Sequence, residues 1–527
     1  MYRRLLRNIY RQPGIDDRHL FIIRRDLSGG INTRQHPTTI KENQSISIKN
    51  IDIGIPGKRK KRLGSVLIGN DVSNNAVLGL HNFVINGATD QLLMYEGTSI
   101  HKWTGSGNWT ALKTNFSSAT EVGMISAKES GLSPDDVVII QNGVDNAFRL
   151  DSAGNFQDLG STSGTGNDSP PKSTVMCWYG NRVWILKDTL LYFSDAYPAD
   201  YSTAFDTVSG SFRIPVGDER GLAPTRDMGI VVLGEQEIWA IAPSVTPNPS
   251  SDQPEPLLTD MGCVSKRGWA VVGDDIYFFA PDGLRALKRT IQDKLQLGAS
   301  YPISYVLKDE FDEIDWSNID KLSMVYFDNK LFITVPIVGG VKTWIYYPAL
   351  NAFAVLEGWN INCYSTYKVS GEERLYYGHR ADGKVFRAWY GYTDEGTTTT
   401  DGTAINYEEK TRQEDLGQPL LYKDGGEVRV KAIASGDYDV NVYASFDDSD
   451  YNLLGKVNLT GNLVTFPITF PVDFLSPNIV EKVFHLDSYG RWKNIKLKFQ
   501  HNATNGNDNI TILEHSIISF VEEYETE

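Results

Sequence analysis

Cysteine is scarce in this chain, with three residues among 527 (Cys177, Cys263 and Cys363). Their odd number and wide spacing exclude a disulfide framework and a zinc site built on cysteine. The scarcity indicates that the protein is made in a reducing compartment.

Long apolar runs are also missing. No stretch approaches the roughly 20 apolar residues that a membrane helix needs, so the sequence predicts no membrane-spanning segment. The first residues, MYRRLLRNIYRQPG, carry basic side chains but no continuous apolar core. We therefore expect no secretory signal.

Recognisable catalytic motifs are missing as well. None of the eight histidines has the i, i+4 spacing of a metalloprotease helix or a metal-binding pattern with cysteine or carboxylate residues. There is no nucleophile elbow and no phosphate-binding loop. The sequence predicts no catalytic residue, no cofactor and no metal ligand, and we expect the protein not to be an enzyme.

Net positive charge is confined to the start of the chain. Residues 1–65 hold 15 Lys and Arg against 5 Asp and Glu, and the remainder holds 36 against 61. A segment of net charge +10 therefore precedes an acidic body of −25, which together give the net charge of −15. The acidic body argues against a protein that wraps nucleic acid, while the basic segment could meet phosphates or an acidic protein surface.

Short β-strand patterns fill most of the sequence. Runs rich in Val, Ile, Tyr, Phe and Trp alternate with Gly, Asp, Asn and Pro, as in antiparallel sheets, and helix candidates are limited to about the first dozen residues and to 310–319. The strand-like runs recur at a mean interval of about 47 residues, which is typical of a β-propeller. Their first apolar residues are Leu92, Val137, Val183, Ile238, Ile276, Leu331 and Leu375. We predict an all-β fold, a β-propeller of six or seven blades.

The pattern divides the chain into three parts. Residues 1–70 are basic and irregular, which predicts an N-terminal arm. Residues 71–400 carry the propeller period. Residues 405–527 contain about seven further strand patterns, which suit a C-terminal β-sandwich.

The basic segment consists of Lys58, Arg59, Lys60, Lys61 and Arg62. Five consecutive cations repel one another and need an anionic neighbour or open solvent. Such a surface suits contact with duplex DNA or an acidic protein ring, although a solvated turn explains it equally well. We expect replacement of all five by Ser to block assembly and to leave the fold intact.

Residues 26–65 carry a recurring arrangement of glycine, asparagine, proline and a basic terminus. It consists of Gly29, Gly30, Asn32, Pro37, Asn50, Arg62, Leu63 and Gly64. This arrangement resembles the opening of the tail nozzle, or packaged-DNA-stabilising ring, of short-tailed bacteriophages, in which it precedes a propeller. Residues 190–201, 262–287 and 490–499 are similar to the same family.

The resemblance implies a structural virion protein. Several copies, usually six, would form a ring or tube in the tail that retains the packaged genome and conducts it during ejection. The implied partners are further copies of the chain, tail adaptor or portal-side proteins, tail fibres, and duplex DNA in the lumen. The implied location is the virion tail, after assembly in the host cytoplasm.

Two alternatives stay open. A receptor-binding or fibre-anchoring tail protein would recognise a host cell-surface glycan through propeller loops, but the exposed loops 160–171 and 246–256 lack the aromatic residues that would favour this. A propeller glycosidase would need paired carboxylates from distant loops, for which the sequence shows no motif.

Overall fold

The computed structural model describes residues 19–86, 89–130, 136–436, 438–460, 479–502 and 508–521. Strands make up 48% of the structure and helices 7%, which confirms the all-β prediction. The helix expected in the first dozen residues lies outside the described residues.

Six strands precede the repeating part of the chain. They are β1 (His19–Arg24), β2 (Gly30–Ile31), β3 (Gln44–Lys49), β4 (Ile51–Asp52), β5 (Arg59–Lys61) and β6 (Ser65–Ile68).

The repeating part folds into small antiparallel sheets, of which the described residues form seven. The first three sheets are β7 (Val77–Phe83), β8 (Gln91–Glu96), β9 (Ser99–Trp103) and β10 (Thr110–Lys113); β11 (Gly123–Lys128), β12 (Asp136–Gln141), β13 (Phe148–Asp151) and β14 (Phe156–Asp158); and β15 (Met176–Tyr179), β16 (Arg182–Lys187), β17 (Leu190–Phe193) and β18 (Ser211–Arg213). The fourth and fifth are β19 (Glu219–Pro224), β20 (Ile230–Gly234), β21 (Ile238–Ile241) and β22 (Glu255–Leu258); and β23 (Trp269–Val272), β24 (Asp275–Ala280) and β25 (Gly283–Ala286). The sixth and seventh are β26 (Ser323–Phe327), β27 (Lys330–Ile337), β28 (Gly340–Tyr347) and β29 (Ala352–Leu356); and β30 (Ile361–Val369), β31 (Glu372–His379) and β32 (Val385–Ala388).

The first strands of these sheets lie side by side in a closed order. Strands β7, β11, β15 and β19 contact one another in sequence, as do β23, β26 and β30, and β30 contacts β7. Between β19 and β23, Gly221 leaves room for the indole of Trp269. Strand β6 pairs with β32 as the fourth strand of the seventh sheet, so the beginning of the chain completes the last repeat.

The repeat period has a simple structural origin. Six of the seven residues that marked the period lie in the second strand of a sheet, but Ile238 lies in the third strand of its sheet. The second strand of the fourth sheet begins at Ile230. When Ile230 replaces Ile238 as the marker of the fourth repeat, the intervals to the markers before and after it become nearly equal. The long step before Leu331 accommodates α1 (Leu287–Leu297) and α2 (Lys308–Asp312).

Helix α1 was not predicted from the sequence. It follows β25 directly, packs on β24 and β25 through Leu287 and Thr290, and ends at Gly298 with a positive φ of 71°. In place of the predicted helix at 310–319, α2 ends at Asp312 and a 3-10 helix spans Trp316–Lys321. Further 3-10 helices span Tyr201–Thr203, Ile303–Val306 and Asp487–Tyr489.

The remaining strands follow the seventh sheet. They are β33 (Thr393–Asp394), β34 (Thr403–Ala404), β35 (Tyr407–Thr411), β36 (Lys423–Ile433), β37 (Asp439–Phe446), β38 (Asn452–Asn458), β39 (Ile479–His485), β40 (Ile495–His501) and β41 (Thr511–Val521).

Two C-terminal sheets enclose an apolar layer. One has the order β39-β36-β41-β5-β4, with β1 also paired to β41, and the other contains β3, β35, β40, β37 and β38. Buried residues from both, such as Val430, Val442 and Phe499, join one cluster. The second sheet continues into the sixth sheet of the repeat, because β3 pairs with β29 at Lys49 and Val355.

The described part of residues 1–70 does not form a separate arm. Strands β1, β4 and β5 belong to one C-terminal sheet, β2 and β3 belong to the other, and β6 belongs to the seventh repeat. This corrects the expectation of an irregular arm for residues 19–68. The physical reason is that the backbones of β1 and β5 pair with β41, that of β3 pairs with β35 and that of β6 pairs with β32, all hundreds of residues later in the chain, and no local pattern reveals such pairing.

Candidate functional site

The basic segment lies at the junction between the repeat and the C-terminal sheets. Strand β5 pairs with β4 and with β41, where Lys60 faces Thr511 and Arg59 faces Ile512. The side chains of Arg59, Lys61 and Arg62 are each only 1% exposed. Lys58 is exposed and Lys60 is half-buried.

Arg62 is fully satisfied by groups inside the protein. Its guanidinium donates two hydrogen bonds to Asp394, at 2.7 and 2.6 Å, and one to the Glu357 carbonyl at 2.6 Å. Its Nε donates to Asn50 Oδ1 at 2.9 Å, and the group lies 5.0 Å from the centre of the Trp359 ring. A bidentate, charge-assisted pair of this kind fixes both partners in place.

Arg59 and Lys61 have internal acidic partners at longer distances. Arg59 Nη1 lies 3.4 Å from Glu409 Oε2 and 2.8 Å from His515 Nδ1. Burial, followed by the charge of Arg59, holds the pKa of His515 well below its usual range, so the imidazole is a neutral acceptor. Lys61 Nζ lies 4.0 Å from Asp508 Oδ2, and burial lowers the pKa of Lys61 to about 8.

These contacts change the interpretation of the basic segment. Three of its five cations are part of the internal structure, and their removal would leave Asp394 and Glu409 buried without a counter-charge. The expectation that all five could be replaced without harm to the fold is therefore wrong. Contact of the segment with a partner protein or DNA stays a prediction, for which Lys58 and Lys60 are the accessible side chains.

A second group of basic residues surrounds a central cavity of about 670 Å³. It lies where the first strands of the sheets begin, and each of the seven sheets, or the loop directly before it, contributes to its wall. Lining residues include Leu78, Val122, Val175, Met176, Leu222, Trp269 and Asn362. A cavity of this size is typical of small-molecule sites.

The charged side chains of the central cavity are mainly basic, in contrast to the chain as a whole. The basic ones are Arg220, Lys266, Arg267, Lys321 and Arg380, and the acidic ones are Glu121 and Asp320. Their formal sum is +3, against −15 for the whole chain. The cavity therefore favours anions.

Only some of the cavity cations have carboxylate partners. Lys266 Nζ lies 2.5 Å from Glu121 Oε1, and Arg220 lies 3.5 Å from Glu235. Arg267 donates to the Leu78 carbonyl at 3.2 Å and Arg380 to the Gly340 carbonyl at 3.4 Å. Among the described residues, no carboxylate lies within 4 Å of either of these two guanidinium groups.

The surroundings of Arg380 disfavour its charged form. Burial lowers its pKa, the Asp320 charge raises it, and the Arg267 charge lowers it again. Burial is therefore the main cause of the lowered pKa of Arg380, and the repulsion by Arg267 is smaller than the attraction by Asp320.

Sequence analysis did not identify the central cavity. Its residues come from separate repeats, and most share only their position at or just before the start of a first strand, whereas Arg380 follows the second strand of the seventh sheet. A search for basic residues at that position would have found Arg220, Lys266, Arg267 and Lys321.

In the described part of the chain, no group of three or more His, Cys, Asp or Glu residues could hold a metal ion. None of the helices in the same part is long and apolar enough to cross a membrane.

The chain matches no family model and no curated protein. It is similar to solved structures of BBS1N in complex with ARL6DN, with 12% identity, 62% of this chain and 98% of that chain covered, and a TM-score of 0.38. An exo-β-1,3-galactanase from Phanerochaete chrysosporium has 10% identity, covers 86% of this chain and all of its own, and gives a TM-score of 0.27. An ancestral GH74 enzyme has 10% identity, with 65% of this chain and 50% of that chain covered, at a TM-score of 0.35.

These matches correct one expectation from the sequence. Glycoside hydrolases are among the similar structures, which contradicts the prediction that the protein is not an enzyme, and we do not retain that prediction. The repeats are β-propeller-like. At these TM-scores the matches assign no activity to the chain.

Proposed function

We propose that the seven small sheets are the blades of a seven-bladed β-propeller and that the two C-terminal sheets form a β-sandwich. The closed order of the first strands supports this blade number. The pairing of β6 with β32 supports it too, because a strand from the start of the chain closes the last blade. The shared apolar layer of the C-terminal sheets supports the sandwich.

We further propose that the protein is a structural component of a tailed-bacteriophage tail, as the sequence resemblance implies. Several copies, six by that resemblance, would form a ring or nozzle that retains the packaged DNA and conducts it during ejection. The adjacent proteins would be portal-side or adaptor proteins, with tail fibres as further partners.

The observation that carries the proposal is the place of the resembling residues in the structure. Gly30 has a φ of 66° and packs against the backbone of Phe353, while a side chain on Gly64 would collide with the Thr393 carbonyl. Asn50, with a φ of 58°, accepts hydrogen bonds from Arg62 Nε at 2.9 Å and from Glu357 N at 3.0 Å. Gly30, Asn50, Arg62 and Gly64 therefore lie together where the propeller meets the sandwich. Proteins of a family that has the same contact between the two domains would need the same residues at these positions.

The charge distribution also supports a conduit. An acidic body repels the backbone of a DNA duplex, so that DNA could slide through a lumen without sticking. Lys58 and Lys60 lie near the contact between propeller and sandwich, and they could bind an acidic surface of a neighbouring tail protein.

The test is electron microscopy of the purified chain and of virions from the genome that encodes it. We expect rings of about six copies with a lumen wide enough for a duplex, and the protein at the portal-proximal part of the tail. Elongated trimeric rods, or absence of the protein from virions, would overturn the proposal. Monomers at fibre tips that bind a cell-surface glycan would favour the receptor-binding alternative.

A further inference from the structure

We infer that the central cavity binds a small organic phosphate, an uncharged organic body that carries at least one phosphate group. This inference is independent of the proposed tail function, because it depends only on the side chains that line the cavity.

The first argument is that two positive charges form no ion pair. Among the described residues, Arg267 and Arg380 donate to backbone carbonyls and have no carboxylate within 4 Å, although each is partly withdrawn from water; the charges of Asp320 and Asp315 act on Arg380 from a greater distance. A planar guanidinium recognises phosphate through two parallel hydrogen bonds, and two such groups suit a dianion better than a monoanion.

The second argument is the position of the two arginines in the fold. Arg267 directly precedes the fifth sheet, and its backbone pairs with Ser323 of the sixth sheet. Arg380 directly follows β31 of the seventh sheet. Both arginines line the cavity. Of the two acidic lining residues, Glu121 is occupied by Lys266 and by Thr174, which donates to it at 3.0 Å, and Asp320 forms no ion pair with either arginine among the described residues.

The third argument is the apolar part of the wall. Leu78, Val122, Met176 and Leu222 line the cavity together with Trp269, whose indole Nε1 is already bonded to the Lys266 carbonyl at 3.1 Å. A bare phosphate ion would leave this surface in contact with water, whereas an organic body would cover it. The wall therefore favours an organic phosphate over an inorganic ion.

The experiment is isothermal titration calorimetry of the full chain with AMP, adenosine, glucose 6-phosphate, glucose and inorganic phosphate. We expect one site per chain for at least one organic phosphate. That compound should bind at least tenfold more tightly than inorganic phosphate or its own unphosphorylated form, and more weakly at high salt.

Two variants locate the site. Arg267→Gln and Arg380→Gln should each weaken binding of that compound about tenfold or more, because each removes a charged donor pair. The matched control is Arg226→Gln, an exposed arginine in the turn after β19, which should not change binding. Arg380→Lys keeps the charge and should lose less affinity than Arg380→Gln.

The opposite results are equally clear. No saturable binding of either organic phosphate at millimolar concentration, or equal binding by the wild type and both Gln variants, would overturn the inference. Circular dichroism and thermal unfolding of each variant distinguish loss of the site from loss of the fold. If a Gln variant does not fold, the affinity of Arg380→Lys for the same organic phosphate is compared with that of the wild type instead.

Discussion

The basic segment and the central cavity contain similar side chains under opposite electrostatic conditions. In the segment, Arg62 is enclosed by Asp394, Asn50 and a backbone carbonyl. In the cavity, Arg267 and Arg380 donate to backbone carbonyls and have no carboxylate within 4 Å among the described residues. The difference shows that a run of cations along the sequence can belong to the interior, while dispersed cations can form an anion site.

The largest expected effect comes from breaking the Arg62 pair. Arg62→Met leaves Asp394 buried and uncompensated, and we expect the free energy of unfolding to fall by about 3–5 kcal/mol. Chemical denaturation followed by tryptophan fluorescence measures this. The control Lys58→Met, at an exposed position, should change stability by less than about 0.5 kcal/mol, and a similarly small change for Arg62→Met would contradict the structural role.

The next effect concerns pH and Lys61. Its pKa falls from the ordinary value of 10.5 to about 8 on folding. Between pH 8 and 10.5, Lys61 therefore binds more protons in the unfolded chain than in the folded chain. The contribution of Lys61 to the free energy of unfolding thus rises with pH over this range, by about 3 kcal/mol at most.

Lys61→Met should remove this rise. The test compares unfolding free energies at pH 7.5 and 10 for wild type and variant, with Lys58→Met as the control that should keep the wild-type slope. An unchanged slope in Lys61→Met would show that Lys61 is not held in a costly charged state.

A smaller effect is expected for Arg380→Met. Because Arg380 has no carboxylate partner among the described residues and lies beside Arg267, its removal should change the free energy of unfolding by less than about 1 kcal/mol. Denaturation in the absence of phosphate compounds measures this. A loss similar to that of Arg62→Met would remove the contrast between the two regions.

The smallest expected effect on stability belongs to Lys58→Ser with Lys60→Ser. These accessible side chains should be replaceable within about 0.5 kcal/mol, whereas assembly with a partner tail protein should weaken if the proposed contact exists. Thermal unfolding and sedimentation of the assembled tail separate the two readouts. Unaltered assembly would remove both lysines from the proposed contact.

Part of the fold could be predicted because some strands are buried throughout. Strands β8 and β12 are buried at every residue, so their apolar runs are continuous and mark the period. The first strands β7 and β11 are only partly buried, which makes their pattern weaker. The starts of the first strands, where most of the basic cavity residues lie, are therefore hard to locate from the sequence. The choice of Ile238 instead of Ile230 arose because adjacent strands of the fourth sheet are both apolar.

The sequence by itself determined the strand content, the period and the separation of charge between the start of the chain and its body. Those properties depend on neighbouring residues, through the alternation of side chains and the apolar area that each strand must bury. Only the tertiary structure decided which cations are neutralised. Arg62 and Asp394 lie 332 residues apart, and the electrostatic state of a charged group depends on partners and burial that the folded chain alone brings together.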